Sequence, residues 1–278
     1  MKMPHVTLPD GDTMPAYGQG TWHMGESRGR FADEVAALKL GIDLGIPLID
    51  TAEMYGNGVA EEIVAEAIQG RRDGLFIVSK VLPYNASRRG TIDACERSLK
   101  RLKTDHIDLY LLHWRGSHPF AETIAAFEKL KQDGKIRHHG VSNFDRSDME
   151  EWVRSGGEAV GSNQILYNLS RRGPEWEVIP WCRQRNVSIM AYSPIEQGRM
   201  LGHKALAEVA ARHGATPAQV ALAWLLRQEG MVVIPKASRQ EHVREDLGAL
   251  DLKLTDADLA DLDKAFPPPK GRTALGML

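Results

Sequence analysis

The chain is poor in cysteine. Cys95 and Cys182 are the whole complement in 278 residues. They stand far apart and fit neither a disulfide framework nor a metal-ligand spacing. Cys95 falls inside the helical pattern "TIDACERSLKRL" and reads as a small buried residue. No apolar run approaches the roughly 20 residues of a membrane-spanning helix. The opening "MKMPHVTLPDGDTMP" has early prolines and acids where a signal peptide would have an apolar core. Charge of one sign is not in excess: 35 Lys and Arg against 37 Asp and Glu leave a net −2. That balance argues against nucleic acid or an anionic membrane as a partner. No G-x-G-x-x-G follows a predicted strand, so the usual dinucleotide fingerprint is absent. Linkers, low-complexity tracts and sequence repeats are also missing. The histidine pair His138 and His139 is adjacent, so in a strand the two rings face opposite sides and cannot share a ligand. No metal is expected. What remains is an ordinary globular composition, 42% hydrophobic and 26% charged. The expectation is a reduced, cytoplasmic, soluble protein.

Short apolar runs alternate with longer amphipathic ones. "PAYGQGTW", "IPLID", "LFIVSK", "IDLYLLHW", "KIRHHGVSN", "AVGSNQ", "VSIMAYSP" and "MVVIPK" read as strands. Helical patterns such as "FADEVAALKLGIDLG", "GVAEEIVAEAIQG", "RRGTIDACERSLKRL" and "AETIAAFEKLKQDG" lie between them. Further helices are predicted over "RSDMEEWVRSG", "GPEWEVIPWCRQR", "HKALAEVAARHG" and "TPAQVALAWLLRQ", with two last ones starting near 240 and 255. Thr216 is placed to cap one of these and Pro217 to open it. Strand and helix alternating at steps of about 30 residues means parallel strands joined by crossover helices. Eight such units in one domain, residues 1–278, predict an α/β fold, the (β/α)8 TIM barrel. The opening "VTLPDGDTMP" carries an Asp-Gly turn and predicts an N-terminal β-hairpin at the bottom of the barrel. The tail "PPPKGRTALGML" is expected to lie across a surface.

The apolar runs end in polar or aromatic residues: Thr21 and Trp22, Asp50, Lys80, His113, Ser142 and Asn143, Gln164, Tyr192 and Ser193, and Lys236. In a parallel barrel all the C-terminal strand ends share one face, the face that carries active sites. Buried Asp, Lys and His are costly unless paired, so the set reads as one ring of interacting groups. Tyr55 follows Asp50 by five residues. Its free phenol, with a pKa near 10, is a poor acid at neutral pH. A cation at about 4 Å, at an effective dielectric near 20, contributes roughly 4 kcal/mol, or about 3 pKa units. Lys80 is the available cation and would bring Tyr55 toward about 7 before burial acts in the other direction. Asp50 would orient Lys80, and His113 would hydrogen-bond the oxygen being protonated.

These residues resemble the aldo-keto reductase family. The stretches "GQGTW" (18–22), "LIDTAEMYGNG" (48–58), "VSKV" (78–81), "LYLLHW" (109–114), "GVSNF" (140–144), "NQILYN" (163–168), "AYSP" (191–194) and "VIPKAS" (233–238) occur in the family's order and spacing. The likeness is greatest to small bacterial members that reduce methylglyoxal and similar aldehydes. The resemblance implies an NADPH-dependent oxidoreductase with the catalytic tetrad Asp50, Tyr55, Lys80 and His113. It implies coenzyme contacts from Thr21, Trp22, Asp50, Ser142, Asn143 and Gln164, with Tyr192 stacked on the nicotinamide. Ser193, Pro194, Ile195, Gln197, Gly198 and Arg199 match the loop over the pyrophosphate. Ile234, Lys236, Ala237, Ser238, His242, Glu245 and Asp246 match the segment around the 2′-phosphate and adenosine.

That last segment departs from the family pattern. Ala237 and His242 stand where the family commonly has serine and arginine, and histidine cannot reproduce a bidentate arginine–phosphate contact. A weakened NADPH preference is therefore expected, with NADH tolerated. Trp22, Tyr55, His113 and Trp114 are expected to wall the substrate pocket, with Met54 and Phe144 as weaker candidates. The short loop "WRGSHPF" predicts an open pocket for small carbonyl compounds, in a monomer. Two other functions compete on the same fold. One is a Schiff-base lyase using Lys80; the other is a non-catalytic, cofactor-sensing subunit.

Overall fold

The computed structural model describes residues 3–278. Strands β1 (His5–Thr7) and β2 (Thr13–Pro15) form the antiparallel hairpin around the Asp10-Gly11 turn. Then come β3 (Gly18–Gly20), β4 (Leu48–Asp50), β5 (Phe76–Val81), β6 (Ile107–Leu112), β7 (Ile136–Ser142), β8 (Ser162–Leu166), β9 (Ser188–Tyr192) and β10 (Met231–Val233). These eight pair in chain order, each parallel to its neighbour. The seam between first and last strands is closed by a Tyr17–Val233 bridge and by the Gly20 amide, which donates to Pro235 O at 2.9 Å. A Cβ on Gly20 would sit 2.9 Å from Ile234 O, so this strand crossing needs a glycine.

Between the strands run α1 (Phe31–Asp43), α2 (Val59–Ile68), α3 (Arg88–Leu102), α4 (Phe120–Gln132), α5 (Arg146–Arg154), α6 (Val178–Arg183), α7 (Lys204–His213) and α8 (Pro217–Leu226); α9 (Gln240–Leu247) and α10 (Asp256–Ala265) follow β10. Five of the ten starts carry a side-chain cap: Ser87, Asp145, His203, Thr216 and Thr255 each accept from a backbone amide of the first turn. Thr216 and Gln219 form a capping box at α8 with Pro217 in its first turn, and Asp145 and Asp148 do the same at α5. The helix predicted over 173–185 is shorter than expected: Gly173–Glu175 is one 3₁₀ turn, and α6 starts only after Glu177 leaves helical geometry. Pro180 sits in the first turn of α6, where its missing N–H costs nothing.

Most of the buried apolar surface lies between the strands and the helical ring. A second cluster fills the N-terminal end of the barrel: Val6, Leu8 and Met14 of the hairpin region meet Leu48, Val78, Leu109, Met190 and Val232 from the strands. The hairpin therefore plugs that end. A polar latch fastens it to β7: His138 Nδ1 lies 2.9 Å from Asp10 Oδ2, and its Nε2 lies 3.4 Å from Asp12 Oδ2. His139 points the other way, to Glu128 of α4 at 3.1 Å. No described helix is long and apolar enough to cross a membrane.

The tail does more than cross a surface. Arg272 pairs with Glu177 at 2.9 Å, and Leu275 packs on the core. Met277 and Leu278 then reach the cavity at the C-terminal ends of the strands.

Candidate active site

β4 ends at Asp50 and β5 carries Lys80 one residue before its end, so parallel register brings both side chains to the same face. Lys80 Nζ donates to Asp50 Oδ2 at 2.9 Å, to Thr51 O at 2.8 Å and to the Tyr55 hydroxyl at 3.2 Å. Tyr55 reaches this position from the short turn Tyr55–Gly58, where Gly56 and Asn57 adopt left-handed backbone. The His113 ring stands edge-on to the Tyr55 ring, with centroids 5.7 Å apart. Gln164 Nε2 donates to the other Asp50 oxygen at 2.7 Å. Asp50 thus accepts from two sides and is locked. The four residues that the sequence singled out stand together.

Burial decides the protonation states. It raises the pKa of the Asp50 carboxyl and lowers that of the Lys80 ammonium, and each group's charge opposes the shift in the other. His113 is lowered well below its usual value by burial and then by Lys80, so its imidazole is neutral and keeps one N–H to donate. Tyr55 departs from the expectation. Its pKa is not drawn toward 7 but raised well above 10, first by burial and then by the negative charge of Asp50. The carboxylate that orients Lys80 also cancels much of the lysine's field at the phenol. The phenol stays protonated.

A cavity of about 460 Å³ opens on this cluster. Asp50, Tyr55 and His113 line it, together with Trp22, Met54, Trp114, Ser142, Asn143, Gln164 and Tyr192. From the loop after β9 come Ser193, Pro194, Ile195, Gln197 and Gly198; from the segment after β10 come Ile234, Lys236 and His242. Tyr192 donates to Asn143 Oδ1 at 2.9 Å, and Asn143 Nδ2 donates to His113 O at 3.2 Å, so the β7 and β9 ends brace each other. Lys80 stands behind this wall, fully buried. Thr21, Arg199, Ala237, Ser238, Glu245 and Asp246 are not in the lining. Asp246 is buried beside Tyr17, and burial followed by the Glu245 charge raises its pKa to about 7. Phe144 is core, packed against Phe120 and Trp152. The sequence reading missed Gly20, His23, Leu201, Met277 and Leu278, which also line the cavity. Only Gly20, a glycine at a strand end, left a local signal.

Beside the lining residue His242, Arg239 Nη2 lies 2.6 Å from its Nε2, close to Lys236 in sequence. Burial, then the charge of Arg30, lowers the Lys236 pKa. A guanidinium therefore stands beside the histidine that replaces the family's arginine. The hydroxyls of Thr21 and Ser238 are buried without a partner among the described residues, as is His113 Nδ1. Lys236 and the Arg239 guanidinium beside His242 make a cationic corner that suits an anionic ligand.

Fold and site together define a parallel α/β barrel with a carboxylate, ammonium, phenol and imidazole gathered at the C-terminal strand ends. The model of the aldo/keto reductase family matches residues 17–266, and the chain belongs to that family. It is 51% identical over 272 residues to the methylglyoxal reductase YeaE of Escherichia coli (strain K12), covering 96% of each chain. It is 35% identical over 258 residues to a glyoxal reductase of Bacillus subtilis (strain 168), covering 93% of this chain and 91% of that one. Among solved structures, an aldo/keto reductase of Klebsiella pneumoniae in complex with NADP and acetate superposes with a TM-score of 0.96 at 46% identity, with all of both chains covered.

Proposed function

We propose that the chain reduces small aldehydes and ketoaldehydes such as methylglyoxal to alcohols, with NADPH as coenzyme and Tyr55 as general acid. The observation that carries the reading is the hydrogen bond from Lys80 Nζ to the Tyr55 hydroxyl, at the wall of a cavity that His113 also lines. NADPH supplies the hydride. Lys236 and His242, with Arg239 beside His242, are the groups that would hold its phosphate end, and Asn143, Ser142, Gln164 and Tyr192 its nicotinamide end.

The chain's own residues handle the oxygen. Neutral His113 donates to the substrate carbonyl and polarises it. As negative charge grows on that oxygen, the Tyr55 proton crosses to it, and the phenolate left behind is met by the Lys80 N–H. Asp50 keeps Lys80 charged and aimed. A high resting pKa suits a donor, because the proton is present whenever substrate arrives. Trp22, Trp114 and Met54 give the carbonyl's carbon chain an apolar wall. The same reading takes the chain as one domain and a cytoplasmic monomer; a sedimentation profile at one-chain mass tests the monomer.

Tyr55→Phe should lower turnover of methylglyoxal by about a thousandfold, the scale of a lost general acid, while NADPH still binds. Near-native turnover in that variant overturns the assignment. A Schiff base on Lys80 is disfavoured by position: the ammonium is fully buried, engaged by three acceptors and outside the cavity lining. Borohydride trapping of an adduct on Lys80 would revive it. A cofactor-sensing subunit would bind NADPH yet oxidise none with methylglyoxal present.

A further inference from the structure

The loop from Ser193 to Arg199 leaves β9 and lines much of the cavity, yet it is built from unfavourable backbone. Ser193, Glu196 and Gln197 all have positive φ, at +46°, +50° and +56°. Non-glycine residues hold such angles only where the surroundings over-determine them. Glu196 does this. It is 5% exposed, turned away from the cavity, and lies in the same turn as the groups that line it. Its Oε2 accepts from Asn168 Nδ2 at 2.9 Å. Its Oε1 accepts from Arg171 Nε at 3.1 Å, Arg171 Nη2 at 2.8 Å and Arg199 Nη2 at 3.0 Å. Asn168 Nδ2 also donates to Ser193 O at 2.9 Å, so one buried amide ties both the start and the middle of the loop to the turn after β8. A buried carboxylate with this many partners is strongly committed to one geometry.

We propose that Glu196 is a positioning residue that holds the 193–199 loop in the shape needed to cover a dinucleotide, and that Arg171 acts on the coenzyme through it. This rests on the functional reading that the dinucleotide lies beneath the loop. Arg171 makes the idea testable. Its side chain is about half exposed and does not line the cavity, so it has no direct route to the coenzyme. Without the clamp, the loop would relax to ordinary backbone, and every encounter with coenzyme would have to order it again.

The test is the dissociation constant of NADP⁺ and NADPH, read from tryptophan fluorescence quenching, for wild type, Arg171→Ala, Glu196→Gln and Glu196→Ala, with a thermal melt of each. Arg171→Ala should weaken both coenzymes by roughly threefold to tenfold and Glu196→Ala by more than about tenfold, the scale of a lost buried charged hydrogen bond, with Glu196→Gln between them. Coenzyme KM should rise in step while the methylglyoxal KM stays put. If Glu196→Ala does not fold, Arg171→Ala and Glu196→Gln decide. Wild-type affinity in those folded variants overturns the inference. A wild-type chain that binds neither coenzyme overturns the functional reading beneath it.

Discussion

At the residue scale, Tyr55 shows what a sequence states and what it leaves out. Asp50, Lys80 and His113 each end an apolar run with a group that is costly to bury, so their gathering was legible. Whether the phenol's pKa falls or rises was not. That depends on how far Asp50 offsets Lys80 and on the loss of water, both of which are matters of distance. With the pKa raised, an ultraviolet difference spectrum of wild type minus Tyr55→Phe should show no added phenolate below pH 10 in the free protein. Phenolate appearing near pH 7 would restore the original expectation. The coenzyme corner is similar. Ala237 and His242 announced a departure from the family, but only the fold put the Arg239 guanidinium 2.6 Å from His242. NADPH should still be favoured over NADH, by less than about a thousandfold, or roughly 4 kcal/mol. Arg239→Ala should cut that ratio further without changing turnover with NADH.

At the scale of elements, the strands and most helices followed from apolar period and caps. The misses come from contacts remote in sequence. Gln164 reads as a strand end, yet β8 runs on to Leu166, so the amide reaches Asp50 from mid-strand. The tail reads as surface because it is rich in proline. Its course is set by Arg272 on Glu177, by Leu275 on the core and by Met277 and Leu278 at the cavity wall. No local pattern encodes those partners. Met277 and Leu278 wall the cavity. Replacing both with alanine should raise the KM for methylglyoxal and larger aldehydes by a few-fold, about 1 kcal/mol of lost apolar contact. Coenzyme affinity should hold. An unchanged KM across aldehydes would remove the tail from the substrate site.

For the whole molecule, burial leaves a signature in alkaline stability. Tyr17, Tyr55, Tyr110, Tyr167 and Tyr192 all have pKa values raised above 10, with burial the first cause in each. A phenol whose folded pKa exceeds its unfolded one leaves stability intact below the unfolded value. Above it, the unfolded chain sheds protons that the folded chain keeps, and stability falls as pH rises. Thermal midpoints should therefore be level through neutral pH and drop steeply beyond about pH 10. Tyr55→Phe should soften that drop. A midpoint indifferent to pH between 9 and 11 would mean that these phenols meet water.

The hairpin plug has a corollary. With Val6, Leu8 and Met14 corking one end of the barrel, both reactants share a single doorway at the other. On the proposed function, coenzyme and aldehyde would therefore enter and leave on the same face, and a bound dinucleotide would be part of the wall that the aldehyde meets.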